Sequence, residues 1–191
     1  MKLDAAPLSG RFVSLEPFSS ALRPEVRAAL DVDPDNWAIQ FVNGRGEGFD
    51  AYWNAACAQI EQGARVAFAV RLADGRVVGT SSFHQISAEH RTVEIGSTFF
   101  RPDARGTKVN PEAKLLMMQH AFERGARRVQ FTVDSRNERS QAALHKLGAL
   151  REGVLRNHLI TWTGWSRDSV VFSVIAEEWP SVREKLLQRL A

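Results

Sequence analysis

Two groups of residues in this 191-residue chain have the types and spacing for chemistry. The first is the stretch Phe99-Phe100-Arg101-Pro102-Asp103-Ala104-Arg105-Gly106-Thr107-Lys108-Val109-Asn110-Pro111. It reads as a strand end, then a basic glycine-containing loop, then a sharply marked helix start. Asn110 suits the N-cap, Pro111 the first helical position, and Glu112 the positive end of the helix dipole. Free backbone N–H groups, the dipole and the charges of Arg105 and Lys108 converge there, which is what an anion site needs. The same residues also fit a plain strand-to-helix connection with solvated charges. The second group is Glu94 with Gly96 on one strand face. Glycine weakens a strand and often marks the close approach of a ligand or another backbone. Glu94 is therefore a candidate general base, acting directly or through water, or else a strand carboxylate paired with an arginine. His84, on the preceding strand, is the rival base, and a satisfied structural histidine is its other reading.

The elements that would position these groups follow from periodicity. Arg11 to Leu15 alternates as a short strand closed by Pro17, and a helix follows from about Ala21 to Leu30 with Pro24 near its start. Residues 31–48 are polar and read as a long surface loop anchored by Trp37 and Phe41, of the kind that covers a site. A helix over Phe49–Ile60 puts Tyr52, Trp53 and Ala56 on one side. Val66–Val70 is apolar on both faces, and Asp74-Gly75 turns the chain into a strand from Val77 to Phe83. In the strand Thr92–Phe100, Val93, Ile95, Ser97 and Phe99 are expected on one face and Glu94, Gly96, Thr98 and Phe100 on the other. A helix to about Gly125, a strand over 129–133 and a helix capped by Asn137 and ended by Gly148 come next. Two strand–helix units in succession imply parallel strands, with ligands beyond their C-terminal ends. Residues 150–159 and 169–175 read as an antiparallel closing pair. Ser181 with Glu184 predicts a capping box for a last helix.

Composition narrows the classes. An apolar fraction of 44% and a charged fraction of 25% are those of an ordinary soluble globular protein, and the length allows at most one domain plus an extension. The order of strands and helices makes it α/β, expected over residues 1–191 as one unit. A net charge of +3 falls short of a nucleic-acid footprint, which needs clustered basic residues. Cys57 is the single cysteine, so no disulfide and no cysteine-based metal framework is expected. No apolar run is long enough to span a membrane, and the first residues lack a signal-peptide core. A cytoplasmic location follows as the expectation.

Gly106-Thr107-Lys108-Val109-Asn110-Pro111-Glu112-Ala113-Lys114, Asn137-Glu138-Arg139-Ser140, Leu147-Gly148-Ala149 and Glu152-Gly153, in this order of elements, closely resemble the GNAT N-acetyltransferases. Arg167-Asp168 and Glu178-Trp179-Pro180 resemble the RimJ/RimL-type branch. The resemblance covers essentially the whole chain and is strongest from Val93 to Trp179. The loop departs from the family pattern at Asp103 and Lys108, where Gln or Arg and then Gly or Ala are usual.

The resemblance implies a mixed, mostly antiparallel sheet splayed between two parallel strands, with helices on both faces. It implies acetyl-CoA in the splay, bound by Phe99, Phe100, Arg101, Arg105, Gly106, Thr107, Lys108, Val109, Asn110, Asn137 and Ser140. Ser140 would protonate the departing thiolate and Asn137 hold the pantetheine arm; simple helix capping accounts for the same two residues. The acceptor would be a protein N-terminal amine, an amino acid or a small amine, and a homodimer is compatible with the resemblance. Trp37, Phe41, Trp53 and Trp162 could line the acceptor pocket, or belong to the core. Two other classes stay open: a non-catalytic CoA-binding module, and a ribosome- or nucleic-acid-associated protein using Arg124, Arg127 and Arg128.

Overall fold

The computed structural model describes residues 1–191. Strands β1 (Leu8–Ser9), β2 (Val13–Pro17), β3 (Val66–Leu72), β4 (Val77–Ser87), β5 (Thr92–Phe100), β6 (Arg128–Asp134), β7 (Leu150–Ile160) and β8 (Ser166–Ile175) form one sheet, in the order 1-2-3-4-5-6-8-7. Every neighbouring pair is antiparallel except β5 and β6. Those two are joined through helix α4 (Val109–Glu123), because parallel neighbours need a crossover. Helices α1 (Arg23–Leu30), α2 (Pro34–Ala38) and α3 (Gly48–Glu61) precede the central strands; α5 (Glu138–Leu147) and α6 (Trp179–Leu190) follow. No helix is long and apolar enough to cross a membrane.

The parallel pair holds together for three registers only, Thr92 with Arg128, Val93 with Val129 and Glu94 with Gln130. Past Glu94 the two strands part. A β-bulge in β5 accompanies the parting: Ser82 pairs with Gly96 and Thr80 with Phe99, so Ser97 and Thr98 together oppose Ser81. Ser97 takes φ of +46°, unusual for a residue with a Cβ. Bulges bend the strand that carries them and re-aim its side chains.

The bulge also breaks the alternation expected for this strand. Val93, Ile95 and Phe100 belong with the core built against α4, α5 and α6. Phe99 belongs to a second core with Trp37, Phe49, Tyr52 and Trp53 on the opposite face. Thr98 therefore joins Val93 and Ile95, and not Glu94 and Gly96, as its bond to α4 shows.

Three local expectations change: two are corrected, and Glu112, which does stand in the first turn of α4, does more than complement its dipole. Helix α4 begins at Val109, with Lys108 at the N-cap position and no side-chain cap, so Asn110 and Pro111 lie inside the first turn. Glu112 is buried; its carboxylate accepts the backbone N–H groups of Arg11, Phe12 and Val13 at 2.8, 2.6 and 2.7 Å. It pins the start of β2 to α4, and a Cβ on Gly10 would stand 2.4 Å from its carboxyl carbon, so only glycine fits there. The third is α6, which starts at Trp179 without a side-chain cap, so the expected capping box at Ser181 does not form.

Candidate active site

Where β5 and β6 part, a cleft of about 220 Å³ opens between them and the first turns of α4 and α5. The strand edges facing it have lost their sheet partner, which leaves N–H and C=O groups for a ligand to satisfy. Gly106 sits at φ of +71° on its rim, and Asn110 lines it from the first turn of α4. Asn137 caps α5: its Oδ1 accepts the Ser140 N–H at 3.0 Å, and both side chains line the cleft. Capping and site lining coexist in these two residues.

The segment carrying α2 covers the cleft mouth, contributing Asn36, Gln40 and Phe41 to its wall. Three polar ties hold it there. The Arg139 guanidinium donates to Asn36 Oδ1 at 2.7 Å, and the Trp162 indole N–H donates to the Trp37 carbonyl at 2.8 Å. Arg105 pairs with Asp33, while its Nε donates to the Phe100 carbonyl at 2.8 Å. Burial pushes the Asp33 carboxyl up, but the Arg105 guanidinium outweighs it and holds the pKa below the usual carboxylate value.

On the face away from α4, polar residues line up at the crotch of the splay. His84 is paired across the sheet with Glu94, and Glu94 with Gln130. The Glu94 carboxylate accepts from Thr132 Oγ1 at 2.9 Å and Gln130 Nε2 at 3.3 Å. A Cβ on Gly96 would meet His84 at 3.2 Å and Glu94 at 3.4 Å, so Gly96 leaves space beside both. His84 Nε2 lies 3.0 Å from Ser97 Oγ. Burial, and then the nearby Arg65 charge, push the His84 imidazole down to about 3. It is neutral at pH 7 and too weak a base to take a proton from an ammonium group. Glu94, its carboxylate held by Thr132 and Gln130, is left as the candidate base.

On the α4 face, Lys114 reaches from the helix into the floor of the cleft. It is buried, donates to Thr98 Oγ1 at 2.6 Å and Ser81 Oγ at 3.2 Å, and has its ammonium 5.9 Å from the Phe131 ring centroid. Burial lowers its pKa to about 7. Asp134, Arg136 and Arg167 meet at the end of β6. Asp134 accepts Arg136 Nε at 3.0 Å and Nη2 at 2.8 Å, with Arg167 Nε further off at 3.8 Å.

Of the residues expected to bind a cofactor, Phe99, Phe100, Arg105, Gly106, Asn110, Asn137 and Ser140 line the cleft. Four do not. Arg101 turns to the Ala28 carbonyl and Asp103. Thr107 staples the loop, donating to the Ala104 carbonyl at 2.7 Å. Val109 is core. Lys108 donates to the carbonyls of Leu190 at 2.9 Å and Ala191 at 3.1 Å, drawn away from the cleft by the end of α6. Among the aromatics, Phe41 lines the cleft, whereas Trp37 and Trp53 are buried in the second core. Trp37 packs on Phe99 at 4.3 Å and Trp53 on Phe18 at 4.7 Å. Trp162 braces α2 from the β7–β8 turn and does not line the cleft.

Sequence reasoning missed Lys114, Arg139 and Arg167 as cleft residues. Lys114 carried a signal: it is the one charge between Ala113 and Met118 on an otherwise apolar stretch of helix. The arginine surface proposed for nucleic acid is largely neutralised. Arg124 pairs with Asp4 at 2.9 Å and Arg128 with Glu152 at 2.5 Å.

A sheet parted between two parallel strands, with a helix N-terminus and a guanidinium at its mouth, is the frame of a CoA-dependent acyltransferase. The family model described as "Acetyltransferase (GNAT) domain" matches residues 13–150, and the chain belongs to this family of acetyl-CoA-dependent N-acetyltransferases. A T. thermophilus protein crystallised as a candidate acetyltransferase is 38% identical, with 100% of each chain covered and a TM-score of 0.90. A GCN5-related N-acetyltransferase from Brucella melitensis is 28% identical over 100% of this chain and 88% of its own, with a TM-score of 0.91. The fold is shared with Mycobacterium smegmatis RimJ in complex with CoA-disulfide, at 22% identity, a TM-score of 0.80, and coverage of 96% and 93% of the two chains. No curated protein matches the chain.

Proposed function

We propose that this chain transfers the acetyl group of acetyl-CoA directly to a primary amine, with Glu94 as the base and Ser140 as the proton donor. The observation that carries this reading is the parting of β5 and β6 immediately after Glu94. Glu94 does not itself line the cleft, but its carboxylate stands beside Gly96 and Thr132, which do. The residues present fit acetyl-CoA. Unpaired strand edges suit the amides of a pantetheine chain, and Gly106, Asn110 and Arg105 suit phosphates at the rim. When bound, acetyl-CoA supplies an activated acyl carbon and a thiolate leaving group.

The chain's own groups manage the protons. An amine with pKa near ~10 arrives as ammonium at pH 7 and must lose a proton before it can attack. Glu94, held by Thr132 and Gln130, takes that proton directly or through a water in the space left by Gly96. The N–C bond then forms, the C–S bond breaks, and the hydroxyl of Ser140 protonates the departing sulfur. The second proton on the new amide nitrogen passes to the Ser140 oxygen, which restores the hydroxyl. The Arg167-Asp168 and Glu178-Trp179-Pro180 segments support a RimJ/RimL-like branch, and the acceptor is a protein N-terminal amine, an amino acid or a small amine.

Replacing Glu94 by Gln keeps the shape and removes the basicity. Steady-state turnover with a basic amine is expected to fall on the order of 10²-fold or more, with loss of the acid limb from the pH profile. Near-full turnover with the same acid limb would move the base elsewhere.

A further inference from the structure

Arg167 stands out among the cleft residues because its hydrogen-bonding capacity is unspent. It is 4% exposed, lines the cleft, and its Nε is buried without any hydrogen-bond partner. Its Nη2 reaches the Thr132 carbonyl only at 3.5 Å, the outer limit of a hydrogen bond. The carboxylate beside it is already taken. Asp134 Oδ1 accepts the backbone N–H and the Nε of Arg136, and Oδ2 accepts Arg136 Nη2. At 3.8 Å, Arg167 Nε is too far from Asp134 for a hydrogen bond. Arg136 thus holds the Asp134 carboxylate, and the buried fork of Arg167 is short of acceptors, with Glu94 near enough to act on its charge but not bonded to it. Such a group is costly unless a ligand completes it.

We propose that the acceptor amine carries a carboxylate a few bonds from its nitrogen and that Arg167 binds that carboxylate, an inference resting on the amine-acetylation reading above. Three observations select this chemistry. Asp134 and Glu94 both lie near enough to act on the Arg167 charge, yet neither gives its fork a hydrogen bond. What the site lacks is therefore acceptor oxygens, which a carboxylate supplies without a phosphate dianion's second charge. A guanidinium fork matches a carboxylate in two parallel hydrogen bonds. Thr132 links the site to the base: its hydroxyl donates to Glu94 at 2.9 Å while its carbonyl faces Arg167. Base and cation therefore flank a single residue, and the amine and anion they receive must lie close together in one molecule. In the proposed function the CoA phosphates lie on Gly106 and the start of α4 at the rim, away from Arg167.

The test compares free α-amino acids with their α-amides, which match in shape and lack the anion. It reads thiol release from acetyl-CoA by the full chain. The acids are expected to exceed their amides in kcat/KM by on the order of tenfold or more, mainly through KM. In Arg167→Met that preference collapses to within about threefold of unity, while CoA affinity by calorimetry stays within about threefold of wild type. Arg167→Lys retains part of the preference. Equal use of acids and amides by the wild-type chain overturns the inference, and needs no variant to fold. Loss of CoA affinity in Arg167→Met with the acid preference intact would assign Arg167 to the cofactor instead. No thiol release with any amine would overturn the acetyltransferase reading itself, which is a separate outcome.

Discussion

Lys114 is an ammonium group placed where no carboxylate meets it. Two hydroxyls and an aromatic face surround it, and burial lowers its pKa from 10.5 to about 7. In the unfolded chain it is charged at every pH below about 10.5. Folding therefore carries a penalty that is fully present below pH 7, shrinks as the pH rises, and vanishes above the unfolded pKa. Lys114→Met is expected to be more stable than wild type at pH 6 by roughly 3–5 kcal/mol, with the gap closing toward pH 10. Denaturant unfolding at the two pH values checks this, and a gap independent of pH would show that the lysine is solvated. His84 is the converse: neutral in the fold at pH 7, it adds no charge to the sheet face away from α4.

At the scale of elements, the sheet beyond β6 is clamped by one ion pair. Arg128 on β6 holds Glu152 on β7 across the intervening β8, whose Ser173 Oγ also donates to Glu152 at 2.8 Å. The guanidinium is the main reason the Glu152 carboxyl falls to about 2. A lowered folded pKa stabilises above the unfolded value near 4.5 and loses that contribution as the pH falls to 2. Glu152→Gln should therefore unfold more easily than wild type at pH 7, by on the order of 1 kcal/mol after solvent screening, and equally at pH 2. Thermal melts across that range decide it; a difference that persists at pH 2 would assign the effect to packing. The elements themselves were legible where periodicity and caps coincide. The strand Thr92–Phe100 and the Asn137 cap with its Gly148 stop stand where they were expected. The bulge at Ser97 was not, because a positive φ at serine leaves no mark in composition. That single displacement moved Thr98 to the α4 face and hid its pairing with Lys114. Lys108 misled for a related reason: its nearest acceptors are carbonyls more than eighty residues away, at the end of α6. Arg167 was visible only as part of a motif, since its unspent donors depend on Arg136 having taken Asp134.

At the scale of the whole molecule, the two faces of the sheet divide the work. The α4 face packs the larger core and sends Lys114 to the cleft floor. The opposite face carries Glu94 and Arg167, under a segment braced by Arg105, Arg139 and Trp162. The parting of two parallel strands brings the faces to one cleft, and acetyl transfer to an amine is what that arrangement can do. The most direct test incubates the full chain with acetyl-CoA and a panel of primary amines, following free thiol and the mass of the amine product together. Thiol should appear in step with N-acetylated amine, and only when an amine is present. Tight CoA binding without any acetylated amine would contradict the account and leave a CoA-binding module in its place.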